Sequence, residues 1–115
     1  MLAATPLLVH GIEANIPEYN VALALDKFKI PYEFQVWIRG GRTLRGGLVV
    51  DFVVYNPFEQ PVEIFGEYWH SGQLGADDRL KLIMEFKQYK KQTIIIWGSE
   101  AETPELAENA VRTKL

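Results

Sequence analysis

The stretch Gly47-Leu48-Val49-Val50-Asp51-Phe52-Val53-Val54-Tyr55, GLVVDFVVY, is β-branched and apolar at odd and even positions alike, with Asp51 its only charge. Alternate side chains of a strand face opposite ways, so apolar residues at both parities need cover on both faces. This is the pattern of a central strand with layers above and below. A carboxylate in the middle of such a strand loses hydration on folding and must find hydrogen bonds, a partner charge or a cation.

The flanking segments supply the neighbours. Upstream, Tyr32 to Ile38, YEFQVWI, sets Glu33 and Gln35 against Phe34, Val36 and Ile38, the alternation of a half-exposed strand. The glycine-rich GGR and RGG around Thr43-Leu44 read as a flexible turn between the two. Downstream, Asn56-Pro57 opens a loop and Pro61 to Tyr68 reads as a third strand, with Glu63, Phe65 and Glu67 on one face and Val62, Ile64 and Tyr68 on the other. Before the strands, Pro17 to Phe28 has helical spacing, with Tyr19, Leu23 and Phe28 near one side, Val21 and Leu25 adjacent, and Asn15 and Pro17 as start signals. After them, Ala76 to about Lys90 places Leu82, Ile83, Phe86 and Tyr89 on an expected core face, with Lys81, Lys87, Lys90 and Lys91 around it. Gln92 to Trp97 reads as a buried strand. Thr103-Pro104-Glu105 starts a last helix running to about Arg112.

The expected order is helix, three strands, helix, strand, helix: a four-stranded mixed α/β sheet with an antiparallel meander, a parallel last strand and helices on its faces. At 115 residues this is one domain, residues 1–115. The apolar runs are strand-sized, so a soluble protein with no membrane span is expected, and the N-terminus lacks the basic start of a secretory signal. Without cysteine, any metal here is held by Asp, Glu or His and is hard, like Mg²⁺. A net charge of -3 argues against a basic nucleic-acid footprint over the whole surface. The distribution is uneven, however: Arg39, Arg42 and Arg45 stand in an acid-free stretch, while Glu100, Glu102, Glu105 and Glu108 load the C-terminal segment.

With the second and third strands antiparallel, Glu63 meets Asp51 on the same face and the two offer oxygens to one divalent ion. Without a cation they repel.

An acid at the start of the first helix, an Asp in strand two and a Glu in strand three resemble the PD-(D/E)XK nuclease superfamily, over nearly the whole chain. Within it, residues 62–70, VEIFGEYWH, followed by Asp77-Asp78-Arg79 and TIIIW, look like the very-short-patch-repair endonucleases and the related EDxHD homing endonucleases. The resemblance implies a restriction-endonuclease-like core and a Mg²⁺-dependent DNA endonuclease, with Mn²⁺ able to substitute. It matches Glu18 to the helix-one acid, Asp51 to the metal ligand, His70 to the motif histidine and Asp77 or Asp78 to the final acid, with Glu63, Glu67 or Asp77 completing the metal site. Phe65 stands where the superfamily has its Lys, so water activation falls to His70, whose ordinary pKa near 6.5 suits proton transfer. The absence of cysteine points away from the zinc-bearing repair enzymes and toward homing or phage-type relatives. DNA is the implied partner, gripped at phosphates by Arg39, Arg42, Arg45 and Lys87, with Trp69 against a base. A homodimer or a second chain supplying DNA specificity is compatible, in the cytoplasm of a bacterial or archaeal host or from a phage.

Plainer readings compete. Asp51 can be bonded to backbone amides, Glu63 can face solvent, and Glu18, Asp77 and Asp78 are ordinary first-turn acids. The arginines can sit on a hairpin tip, the lysines on a solvated helix face, and Trp37 and Trp97 in core or edge packing. A non-catalytic relative of the same fold that binds nucleic acid or protein is therefore the alternative. No glycine-rich phosphate loop or nucleophile motif supports a small-molecule enzyme.

Overall fold

The computed structural model describes residues 5–38, 48–66 and 75–115. The central strand anticipated around Asp51 is β4 (Val49–Tyr55), preceded by β3 (Tyr32–Trp37) and followed by β5 (Glu59–Phe65). With β6 (Ile94–Trp97) they form a four-stranded sheet of order β3-β4-β5-β6. β3 with β4 and β4 with β5 are antiparallel, and β6 joins β5 in parallel. That parallel pairing requires a crossover, which α2 (Ala76–Tyr89) supplies. The other helices are α1 (Ile16–Lys27) and α3 (Pro104–Lys114), with a 3₁₀ turn over Gly98–Ala101 between β6 and α3. Among the described residues the fold is thus mixed α/β with three helices, in the anticipated order. The hairpin β1 (Leu8–Val9) and β2 (Ile12–Glu13) was not anticipated. His10 and Gly11, at φ 49 and 80, make the two-residue left-handed turn that such hairpins need.

The sheet is covered unequally. On one face Phe52, Val54, Val62 and Ile96 pack with Val21, Ala24 and Leu25 of α1 and Ala107, Ala110 and Val111 of α3. On the other, Val53 packs with Tyr55 of its own strand and with Met84 and Tyr89 of α2. Two helices therefore hold the apolar core, and the face under α2 is left for polar groups. α1 begins with a capping box: the Glu18 N–H donates to Asn15 Oδ1 and the Asn15 N–H to Glu18 Oε1, both at 2.9 Å. Its buried side is Asn20, Val21, Ala22, Ala24 and Leu25, while Leu23 is exposed.

The larger departure is in α2. Ile83 and Phe86, expected to face the core, are 52% and 49% exposed, whereas Glu85 is fully buried and Lys81 half-buried. A polar row facing the sheet has displaced the apolar one, because the sheet beneath carries a carboxylate in want of a partner. Trp37 lies exposed on the edge strand β3, while Trp97 packs against Phe65 with ring centroids 6.0 Å apart.

Two tethers close the α1–α3 layer. Asn20 Nδ2 donates to the Ala101 carbonyl at 2.9 Å across 81 residues of sequence. Asn20→Ala orphans that buried carbonyl and should lower stability by about 1–3 kcal/mol in urea unfolding. Glu100 accepts from the Trp97 N–H at 2.9 Å and from Lys114 Nζ at 2.6 Å. Burial opposes ionisation, but the Lys114 bond and the Trp97 N–H outweigh it and hold the Glu100 carboxyl below its ordinary value of 4.5. A lowered carboxyl contributes stability above that value and loses it as pH falls through the folded one. Glu100→Gln should therefore cost about 1 kcal/mol at pH 7, with the two melting curves converging in acid.

Candidate active site

β4 and β5 pair from Tyr55 with Glu59 to Phe52 with Val62. One step further along stand Asp51 and Glu63, and there a side chain takes over from the ladder: Asp51 Oδ2 accepts the Ile64 N–H at 2.8 Å. Asp51 is half-buried, so one of its oxygens has the backbone partner that its strand position demands. On the far side of Asp51, Gln35 of β3 adopts φ 58 between Phe34 and Val36, which pair regularly with Phe52 and Val50. A left-handed glutamine inside a strand is strained by about 1 kcal/mol, and such strain persists only where surrounding contacts hold it.

Glu63 has no solvent exposure at all. Its Oε1 accepts from Lys81 Nζ of α2 at 2.9 Å, and its Oε2 has no hydrogen-bond partner. Glu85, one turn beyond Lys81, is also fully buried: Oε1 accepts from Thr93 Oγ1 at 2.6 Å, while Oε2 is likewise unpartnered. Burial above all, and then Glu85 and Asp51 beside it, push the Glu63 carboxyl far above the ordinary carboxylate range, with Lys81 only partly offsetting them. Burial works against the Lys81 ammonium, but Glu63, Asp51 and Glu85 outweigh it and raise its pKa, so Lys81 stays protonated. Glu18, half-buried at the start of α1, belongs to the same field. Burial raises its carboxyl and the Asn15 N–H lowers it, Asp51 adds to the rise and Lys81 opposes it.

α1, β4, β5 and α2 thus bring Glu18, Asp51, Glu63 and Lys81 into one electrostatic neighbourhood, with Glu85 behind Glu63. The reading of Glu63 as a solvent-facing residue is excluded by its burial. Asp77 is exposed and Asp78 half-buried, both in the first turn of α2, where the helix dipole favours acids. Lys87 is exposed beside Ile83 and Phe86 on a groove of about 560 Å³ between α2 and β6. Arg39, Arg42, Arg45, Glu67, Trp69 and His70 lie outside the described residues. Lys81, Glu85 and Thr93 were missed as site residues. Their signal was the row Asp78, Lys81 and Glu85 at helical spacing, a polar stripe that can face inward as well as outward. Among the described residues no three His, Asp or Glu side chains form a metal-binding group, and no helix is long and apolar enough to cross a membrane.

Comparisons of the chain with protein-family models, with curated proteins and with solved structures gave no match.

Removing Lys81 strands the buried Glu63 carboxyl. Lys81→Met should destabilise by about 2–4 kcal/mol, below the full cost of breaking a buried pair because the Lys81 side chain is 23% exposed. Adding Glu63→Leu removes the unpaired buried carboxyl and should restore part of that loss, a coupling that a double-mutant cycle in urea measures.

Proposed function

We propose that the chain is a metal-dependent DNA endonuclease of the PD-(D/E)XK kind, with a restriction-endonuclease-like core, hydrolysing phosphodiester bonds. The observation that supports this best is the meeting of Glu18, Asp51, Glu63 and Lys81 from four different elements. Acids gathered from separate elements repel unless a function or a cation holds them, and clusters of this kind mark functional sites. The strand order and the parallel last strand are compatible with the same reading.

The donor chemistry fits a hard divalent ion. Asp51 and Glu63 offer carboxylate oxygens from neighbouring strands, and Glu63 Oε2 is an unpartnered acceptor. Mg²⁺ commonly takes one or two carboxylates and completes its shell with water and substrate phosphate. When bound, Mg²⁺ or Mn²⁺ supplies positive charge at the scissile phosphate and beside the leaving oxygen.

Lys81 takes the place that Phe65 leaves without an amine in the strand. Because its neighbours keep it protonated, Lys81 acts as a charge and donor toward phosphate and is unsuited to removing a proton from water. That task remains assigned to His70. Glu18, tied to Asn15 by the capping box, is a fixed acid beside Asp51 and Lys81. Arg39, Arg42, Arg45 and Lys87 would hold phosphates and Trp69 a base, on DNA bound by a homodimer or with a partner that supplies specificity.

One observation favours a second reading. Glu63 is wholly buried and bonded to Lys81, as in a structural ion pair, which suits a non-catalytic relative that binds nucleic acid or protein. Cleavage of supercoiled plasmid separates the two. The nuclease reading expects nicking or linearisation with Mg²⁺ or Mn²⁺, none in EDTA, loss in Asp51→Ala, and a rate about 10²–10³-fold lower in Lys81→Ala. Intact plasmid across protein and metal concentrations would leave the binding relative.

A further inference from the structure

We propose that the pocket where β4 ends and β5 begins, walled by Tyr55, Phe58 and Tyr89, is a binding site for the guanidinium group of an arginine on a partner protein. The pocket measures about 400 Å³, and Glu59 and Lys91 also line it. Tyr55, the last residue of β4, stands four positions beyond Asp51, about 13 Å at the rise of a strand, so the pocket is separate from the acid cluster. The inference does not depend on the nuclease reading.

Three features make the pocket receptive to a flat cation. Its walls are aromatic, and a cation over an aromatic face is attracted by the ring quadrupole. Tyr55 and Tyr89 are half-buried and fixed by packing against the cluster that contains Val53. Carboxylates stand beside the rings. The Tyr55 hydroxyl donates to Glu33, and that bond first, then burial and the charges of Glu33 and Glu59, push its pKa up to about 12. Burial first, then Glu59, Glu85 and Glu33, push Tyr89 up to about 12 as well. The same negative field that keeps the phenols protonated draws a cation in, and exposed Glu59 enters no ion pair among the described residues. Finally, the Lys91 ammonium lies 5.6 Å from the Phe58 ring centroid, so a cation of the chain itself already settles on one wall.

A guanidinium meets both demands, since it stacks on a ring while its N–H groups reach a carboxylate, whereas a quaternary ammonium has no N–H to offer. Phe58 is 72% exposed, so the pocket is open and suits one inserted side chain whose parent chain stays outside. A free small cation would be left largely in water there.

The test follows the amide signals of the isotopically labelled full chain by nuclear magnetic resonance as a blocked tripeptide with a central arginine is added. Saturable shifts at residues 55–59 and 88–91 are expected, with a Kd in the millimolar range for one anchoring side chain, and none with the matching citrulline peptide. Phe58→Ala and Glu59→Gln should each weaken binding by at least about threefold. Lys91→Gln, which removes the competing ammonium, should bind at least as tightly as wild type. Phe58 and Glu59 are both exposed, and an unchanged melting temperature shows that the fold is kept; should Phe58→Ala melt lower, Glu59→Gln decides alone. Absence of saturable shifts in wild type, equal binding of the citrulline peptide, wild-type affinity in Glu59→Gln or in a stable Phe58→Ala, or weaker binding in Lys91→Gln overturns the inference. Methylguanidinium binding as tightly as the peptide, or tetramethylammonium binding in place of the peptide, overturns the protein arginine as the ligand.

Discussion

The carboxyl group of Glu63 is buried in the middle of a sheet, and the arrangement around it follows from that. A carboxyl placed there needs hydrogen-bond donors, and Lys81 provides one from across the layer at 2.9 Å. To deliver the ammonium, α2 must turn its polar row toward the sheet. Ile83 and Phe86 are then carried outward, against the usual preference of a helix for burying its apolar side. The apolar core is left to α1 and α3 on the opposite face, where small alanines let the helices approach the sheet closely.

This division of labour explains how one small domain can be both stable and polar inside. One face of the sheet is packed with Phe52, Val54, Val62 and Ile96, and it carries the folding free energy. The other face is spent on acids and a lysine whose mutual fields are strong because water is excluded. Asp51 sits where these demands meet. Its carboxylate replaces a rung of the ladder by accepting the Ile64 N–H, and the strained Gln35 stands beside it on the next strand. The nuclease reading draws on that same polar face.

Much of the architecture was legible from periodicity and punctuation. The two-sided apolar run around Asp51 identified the central strand, and Asn15, Pro17, Thr103 and Pro104 marked helix starts that the structure bears out. The adjacency of Asp51 and Glu63 followed from pairing two strands across a short loop. What escaped the sequence is instructive in physical terms. The direction that α2 faces depends on a charge on another element, and no local pattern encodes it. Lys81 looked like a solvated residue because lysines usually are, and Glu85 looked like nothing in particular. The β1–β2 hairpin was missed because His10-Gly11 is a weak form of the usual turn signal.

The origin of the charge cluster in α1, β4, β5 and α2 has a bearing on how the chain reaches its native state. Glu18 and Lys81 are 63 positions apart, and no shorter fragment contains all of the groups that meet. The crossover through α2 must be complete before β6 can dock in parallel, and such non-local pairings form late in folding. Partly folded chains, including those still emerging from synthesis, therefore carry the acids apart, hydrated and indifferent to one another. The electrostatic character of the cluster is an attribute of the finished molecule, acquired in the same cooperative step that closes the sheet.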